Sequence, residues 1–280
     1  MARRRASKGG GGTGESALSR SISCGSSGGV PRIGNVWGAC DPNEPHNWRR
    51  RCSMLVERRG RDGSTFVLID TTPDLRMQLI GAGIGRIDGV LYTHPHADHI
   101  HGVDDLRVLA LHSARRVDVF ADEQTSRLLH GAFAYSLKTP RGSSYPRILT
   151  EHRTAEGEPV TVEGPGGPIT ALPFRQHHGE IHSLGFRIGP VAYSSDLVGL
   201  PDESLPAVSG LDVWGIDALR RRPHPSHFCL DDAIGWVGRM KPRRAILTNM
   251  HVDLDYRTLV DTLPKGIEPA FDGISFETGC

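Results

Sequence analysis

Tyr92-Thr93-His94-Pro95-His96-Ala97-Asp98-His99 sets three imidazoles and a carboxylate within six residues, directly after the apolar run Gly89-Val90-Leu91. Neutral imidazole nitrogen and carboxylate oxygen are donors that zinc, manganese and iron accept, and alternating histidines followed by an Asp-His pair can serve two adjacent ions. Two divalent ions about 3.5 to 4 Å apart share and activate a water and clamp the group under attack. A polar turn with incidental histidines is the bland alternative, and it needs no such density of donors.

The HxHxDH pattern resembles the signature of the metallo-β-lactamase superfamily, and other motifs of that family follow in order over 22–276. Asp70 ends the apolar run Phe66-Val67-Leu68-Ile69, His178 lies in Gln176-His177-His178-Gly179, Asp196 closes Tyr193-Ser194-Ser195-Asp196, and His251 follows Thr248-Asn249-Met250. The resemblance implies an α/β fold, a four-layer αββα sandwich, with two divalent metal ions (Zn2+ or Mn2+) as cofactors. It implies that His94, His96 and His178 hold one ion, that Asp98, His99 and His251 hold the other, and that Asp196 bridges them. Asp98 also counts among the catalytic residues. Asp70 is expected behind the ligands, fixing the HxHxDH loop by hydrogen bonds. His177 and His178 point to opposite sides of an extended segment, so only one can face the metals; the His-Gly context favours His178.

Within the superfamily the chain is similar to the phosphodiesterase branch, which includes the phosphoribosyl 1,2-cyclic phosphate phosphodiesterases and, further off, ribonuclease Z. Pro223-His224-Pro225-Ser226-His227 precedes an amphipathic stretch, Leu230–Met240, where that branch carries a catalytic histidine. By spacing His227 is the match, as general acid, and His224 is a substrate contact. Gly25-Ser26-Ser27-Gly28-Gly29-Val30-Pro31 resembles the branch's glycine-rich loop, whose N–H groups can cradle an anion. The expected function is a metal-dependent phosphodiesterase for a small cyclic or nucleotide-like phosphodiester. The alternatives are a thioester hydrolase of the glyoxalase type and a non-catalytic metal or nucleotide binder. Cys40 has no cysteine within ten residues, unlike the branch's structural zinc cluster. Arg32 and the run Arg49-Arg50-Arg51 could meet a second phosphate on a substrate, but arginine runs are usually solvated surface, and they stay outside the expected site.

These donors follow β-rich runs, where α/β folds place functional loops. Alternation and turn residues predict strands at Ser53–Arg58, Thr65–Asp70, Gly89–Tyr92, Val117–Ala121, Ile169–Pro173, Gly185–Ile188, Val191–Ser194, Asp212–Ile216 and Ala245–Thr248. Helical periodicity marks Asp105–Ser113, Glu123–Phe133, Leu230–Met240 and Tyr256–Leu263. The Gly-, Pro- and Ser-rich stretch Lys138–Gly167 reads as a surface excursion. Residues 1–20, basic and glycine-rich with no apolar core, read as a disordered tail ahead of one hydrolase domain over 21–280.

A net charge of +1 gives no field for bulk nucleic acid or an anionic membrane, and no long inserted arm is present to grip a large RNA. Five cysteines without CxxC spacing fit a reducing cytoplasm. A small phosphodiester is thus the expected partner, and a homodimer is the assembly carried as an expectation.

Overall fold

The computed structural model describes residues 16–23 and 28–279. The first half of the chain runs β1 (Ser16–Ser23), β2 (Ser53–Gly60), β3 (Gly63–Ile69), α1 (Leu75–Ala82), β4 (Gly89–Leu91), α2 (Ala97–Ile100), α3 (Leu106–Ser113), β5 (Val117–Ala121), α4 (Glu123–Ala132), α5 (Ala134–Leu137) and β6 (Leu149–Arg153). The second runs β7 (Val160–Val162), β8 (Ile169–His178), β9 (Ile181–Ile188), β10 (Val191–Ser194), β11 (Val213–Asp217), α6 (Leu230–Met240), β12 (Arg244–Thr248), α7 (Tyr256–Thr262) and β13 (Ile267–Pro269). The last strand, β14 (Ser275–Gly279), returns to the first sheet.

Two seven-stranded sheets result, ordered β14-β1-β2-β3-β4-β5-β6 and β13-β12-β11-β10-β9-β8-β7. Each sheet has antiparallel and parallel parts. In the first, β3 through β6 pair in parallel, and in the second β10 through β13 do.

Strands β2 and β3 are buried on both faces, so their alternation sorts apolar side chains into two cores rather than into core and solvent. Met54, Val56, Val67 and Ile69 pack between the sheets with Phe186 and Tyr193. Their neighbours Leu55 and Leu68 face the other way, against Leu75 and Leu79 of α1 and Leu106 of α3. Leu230, Ala233 and Val237 of α6 and Leu259 of α7 close the far side of the second sheet. The layers therefore run helix, sheet, sheet, helix, as the resemblance implied. Leu68 is fully buried, and Leu68→Ala costs about 2–5 kcal/mol from lost burial and the cavity left behind.

Two expectations change. The stretch 138–167 holds β6 and β7, the last strand of one sheet and the first-paired edge of the other, so it is the crossover between sheets rather than a surface excursion. Its short strands were hidden by the turn residues around them, although Ile148 and Leu149 are buried. Ser16–Arg20, expected within the tail, lies in β1, which pairs with β2 and β14. The rest of the tail, 1–15, and residues 24–27 of the glycine-rich loop lie outside the described residues. No helix among the described residues is long and apolar enough to cross a membrane.

Candidate metal centre

The C-terminal ends of parallel strands from both sheets meet at one edge of the sandwich. Asp70 follows β3, His94 and His96 follow β4, Asp196 follows β10, Asp217 ends β11 and Asn249 follows β12. Asp70, Asp196 and Asn249 all turn the chain out of a strand with positive φ, at 64°, 54° and 60°. Asp and Asn tolerate this region better than other non-glycine residues, and such strained turns gather at functional sites.

Two sets of donors converge there. His94, His96, His178 and Asp196 place one ligand atom each within 4.8 Å of one another, and so do Asp98, His99 and Asp196. Asp196 belongs to both sets, one oxygen to each. Its Oδ2 lies 3.7 Å from His94 Nε2 and 3.8 Å from His178 Nε2, while its Oδ1 lies 3.3 Å from His99 Nε2. Asp98 stands 3.6 Å from that same His99 nitrogen.

Hydrogen bonds behind the rings aim them. Asp70 accepts from the Thr93 backbone N–H at 2.8 Å, from the Thr93 hydroxyl at 2.7 Å and from His99 Nδ1 at 2.7 Å. With its proton given to Asp70, His99 presents a lone pair on Nε2. Because the Thr93 hydroxyl donates to Asp70, it accepts from His94 Nδ1 at 2.9 Å. His178 Nδ1 donates to the Ser226 carbonyl at 2.7 Å. Gly179 makes that approach feasible: φ is 59°, and a Cβ there would lie 2.9 Å from Ser226 Cβ.

The residues fit a divalent cation. His94 Nε2 is buried without a hydrogen-bond partner, although its tautomer leaves it a lone pair facing Asp196. Unpaired buried acceptors are costly, and a cation supplies the missing partner. Burial, then the neighbouring imidazoles, holds His94 well below its ordinary pKa, in the neutral form a ligand needs. Burial works against charge on Asp196, yet His99, His227 and His94 hold its carboxyl well below the usual range. His94, His96 and His178 could thus hold one ion with Asp196, and Asp98 and His99 a second.

His251 is not in either set, contrary to the expectation. The left-handed turn at Asn249 buries Met250 in the core and swings His251 away, so that its Nδ1 lies 3.1 Å from an Arg32 guanidinium nitrogen. Asn249 itself takes the place beside the centre and donates to Asp196 Oδ1 at 2.9 Å. His177 is exposed and points away, leaving His178 as the inward histidine. His46, His130, His152 and His182 each contact a carboxylate elsewhere, at 2.6 to 3.0 Å.

His227 lies beside the first set, with its Nε2 3.8 Å from Asp196 Oδ2. Its Nδ1 donates to Asp217 Oδ2 at 2.8 Å. Burial disfavours the charged ring, but Asp217 and then Asp196 outweigh it and raise His227 to about 9. Burial raises Asp217 itself to about 6. His224 is a neighbour, with ring centroids 5.0 Å apart. Sequence reasoning missed Asp217, which closes an apolar strand as Asp70 and Asp196 do, and that recurring pattern was the signal available.

Paired sheets flanked by helices, with His and Asp donors gathered at the strand ends, define a hydrolase of the metallo-β-lactamase fold. A model of the family described as "Beta-lactamase superfamily domain" matches residues 65–250, and the chain belongs to that family. The crystal structure of a new diphosphatase from the PhnP family is 36% identical, with a TM-score of 0.84, covering 94% of this chain and 97% of that one. Zn(2+)-bound PqqB from Methylobacterium extorquens (14% identity, TM-score 0.71, 93% of this chain and 100% of that one) shares the fold. So does the short form of human tRNase Z (15%, 0.58, 92% and 98%). An octanoyltransferase of Porphyromonas gingivalis is 31% identical over 258 residues, which are 90% of this chain and 50% of that protein. The chain thus spans half the length of this curated relative.

Proposed function

We propose that the protein is a phosphodiesterase that uses two divalent ions to hydrolyse a small cyclic or nucleotide-like phosphodiester. The observation that carries this reading is His227, backed by Asp217 at 2.8 Å and turned toward Asp196. When bound, the ions supply an activated water and neutralise charge on the attacked group. The residues of the chain do the rest. Asp196 and Asp98 balance the cationic charge, Asp70 and Thr93 hold His99 and His94 in their ligating tautomers, and Asp217 holds His227 with Nε2 facing the reaction space.

The kind of leaving group separates this reading from a thioesterase. A departing alkoxide is a far stronger base than a thiolate and needs a proton to leave, so a positioned general acid helps oxygen esters most. The similarity to a PhnP-family diphosphatase supports a phosphoryl substrate and favours, as a second reading, a diphosphate link as the bond cut. The name octanoyltransferase belongs to a protein of which the matched residues are only 50%, and gives the centre no acyl substrate. We place the protein in the cytoplasm, because Cys40 and Cys229 are buried thiols outside any disulfide.

The test is a panel of cyclic phosphates, linear phosphodiesters, diphosphates, thioesters and β-lactams, assayed with manganese and with zinc. The best phosphoryl substrate should exceed the best thioester or β-lactam in kcat/KM by at least about 100-fold, or roughly 2.7 kcal/mol of transition-state discrimination. Thioester turnover equal to or above that of every phosphoryl substrate refutes the reading.

A further inference from the structure

The buried cysteines differ in what surrounds them. Cys40 packs with Val30, Val252 and Trp37, and Cys229 stands at the N-terminus of α6. Cys52 meets polar groups instead. It lies just before β2, and its Sγ reaches the end of β12, at 3.4 Å from Thr248 Oγ1 and 3.5 Å from Asn249 Oδ1. The next residue also supports the centre, since the Ser53 hydroxyl donates to the carbonyls of Ile69 and Asp70 at 2.9 and 3.2 Å.

The protons along this chain of groups run in one direction. An amide oxygen can only accept, so the thiol gives its proton to Asn249 Oδ1 and takes one from the Thr248 hydroxyl. Asn249 Nδ2 then donates to Asp196 Oδ1 at 2.9 Å. Cys52, Thr248, Asn249 and Asp196 are each no more than 2% exposed, so water does not compete for these bonds.

At the centre itself the neighbours of Asn249 disagree about which end of the amide should face them. An ionised Asp196 only accepts, and favours Nδ2. His227 Nδ1, 3.3 Å from Nδ2, carries the proton that it donates to Asp217, and favours Oδ1. A cation held by Asp196 offsets the first preference, and amide oxygen is itself a donor that divalent ions accept. The thiol then decides. Turning the amide would break the bond from Cys52 in a place where water cannot replace it, and a buried donor left without its partner is costly.

We infer that Cys52 is a positioning residue: its S–H fixes the orientation of the Asn249 amide and so holds down the affinity of the second ion, the one that Asp98, His99 and Asp196 would share. In this orientation Asn249 competes with the ion for Asp196 Oδ1 and keeps its own oxygen turned away. The inference rests on the two-ion reading of the centre and adds to it a reason, outside the donor sets, for the inequality of the two positions.

The experiment is equilibrium dialysis of the full chain against manganese, which prefers oxygen donors to thiolate, so that the loss of sulfur is not itself the loss of a ligand. Cys52→Ala should tighten the weaker ion by about 10-fold, the size of one net hydrogen bond, and leave the tight ion unchanged. Cys52→Ser keeps a donor and should stay within about 3-fold of wild type. Asn249→Gly deletes the amide while tolerating the φ of 60°, and in that background Cys52→Ala should change nothing. Melting curves check that each variant is folded. A second ion that appears only in Cys52→Ala also supports the inference. A shift of both ions together, a serine variant that behaves as the alanine one, or the same shift without Asn249 makes Cys52 a packing residue and overturns it. If two ions bind and the weaker ignores Cys52→Ala, the inference alone falls. If wild type and Cys52→Ala alike bind one ion or none, the two-ion reading falls and takes the inference with it.

Discussion

His227 donates its Nδ1 proton to Asp217 Oδ2 at 2.8 Å, and this one contact fixes which face of the ring is left for chemistry. Asp217 is fully buried at the end of β11, and its Oδ2 also accepts the Leu197 N–H at 3.2 Å. Leu197 follows Asp196 in the chain. The bond that orients the candidate acid is thus tied through the backbone to the carboxylate shared by both donor sets.

That sharing gives the first prediction. Purified protein reconstituted with manganese or zinc should hold two ions per chain by elemental analysis. Asp196→Ala should lower occupancy of both positions, because each set uses one of its oxygens. A reproducible value of one ion or less in wild type would contradict the dinuclear centre.

The two positions should differ in affinity. The first set has three imidazoles and a carboxylate, whereas Asp98 and His99 share only Asp196, whose Oδ1 already accepts from Asn249. Equilibrium dialysis should resolve a tight and a weaker ion. Asn249→His puts an imidazole in place of a donor amide beside Asp196, and should tighten the weaker ion by about 10-fold or more without changing the tight one. Equal affinities in wild type, or no response to the substitution, would remove the argument.

How much of this was legible follows from which contacts are local. His94, His96, Asp98 and His99 are contiguous, so their types and spacing carried the chemistry directly. Asp70 and Asp196 were readable as acids closing apolar strands. The second set departs from what the resemblance implied, because the left-handed turn at Asn249, two residues before His251, brings Asn249 rather than His251 to Asp196. Asp217 was overlooked because the strand was ended one residue early, at Ile216. Lys138–Gly167 misled for another reason: parallel pairing of β5 with β6 joins segments far apart in sequence, which local turn signals cannot report.

A prediction on stability concerns Asp255, which caps α7. Its Oδ1 accepts from the Thr258 N–H at 2.9 Å, and its Oδ2 from Asn47 Nδ2 at 2.7 Å and the Asp41 N–H at 3.1 Å. Partial burial works against its charge, but these bonds prevail and lower its pKa to about 2. A carboxyl depressed in the folded state adds stability above its unfolded pKa of about 3.9, and that stability is lost as pH falls toward the folded value. Asp255→Ala should cost about 1–2 kcal/mol at neutral pH. Thermal melts between pH 4 and pH 2 should fall less steeply for Asp255→Asn than for wild type. Parallel curves would show that the cap carries no pH-dependent stability.

The role of His227 is decided by its dependence on the leaving group. If His227 delivers a proton to the departing oxygen, its removal hurts most where that oxygen is a poor leaving group, and general acid–base catalysis of this kind contributes about 10²- to 10⁴-fold. His227→Ala should therefore lower kcat by that factor on an alkyl phosphodiester, yet by much less on a p-nitrophenyl ester, whose phenolate leaves without help. Metal content should stay at the wild-type value, since His227 is in neither donor set. Asp217→Asn offers an intermediate case. The amide can still meet Nδ1 but carries no charge, so the ring loses the partner that favours its protonated form, and the loss should again grow with leaving-group basicity. Equal losses on both esters would point to a packing role under the loop before α6. Loss of bound metal from His227→Ala would make it a ligand instead, because proton transfer and coordination both use Nε2 and only coordination leaves the ion without a donor.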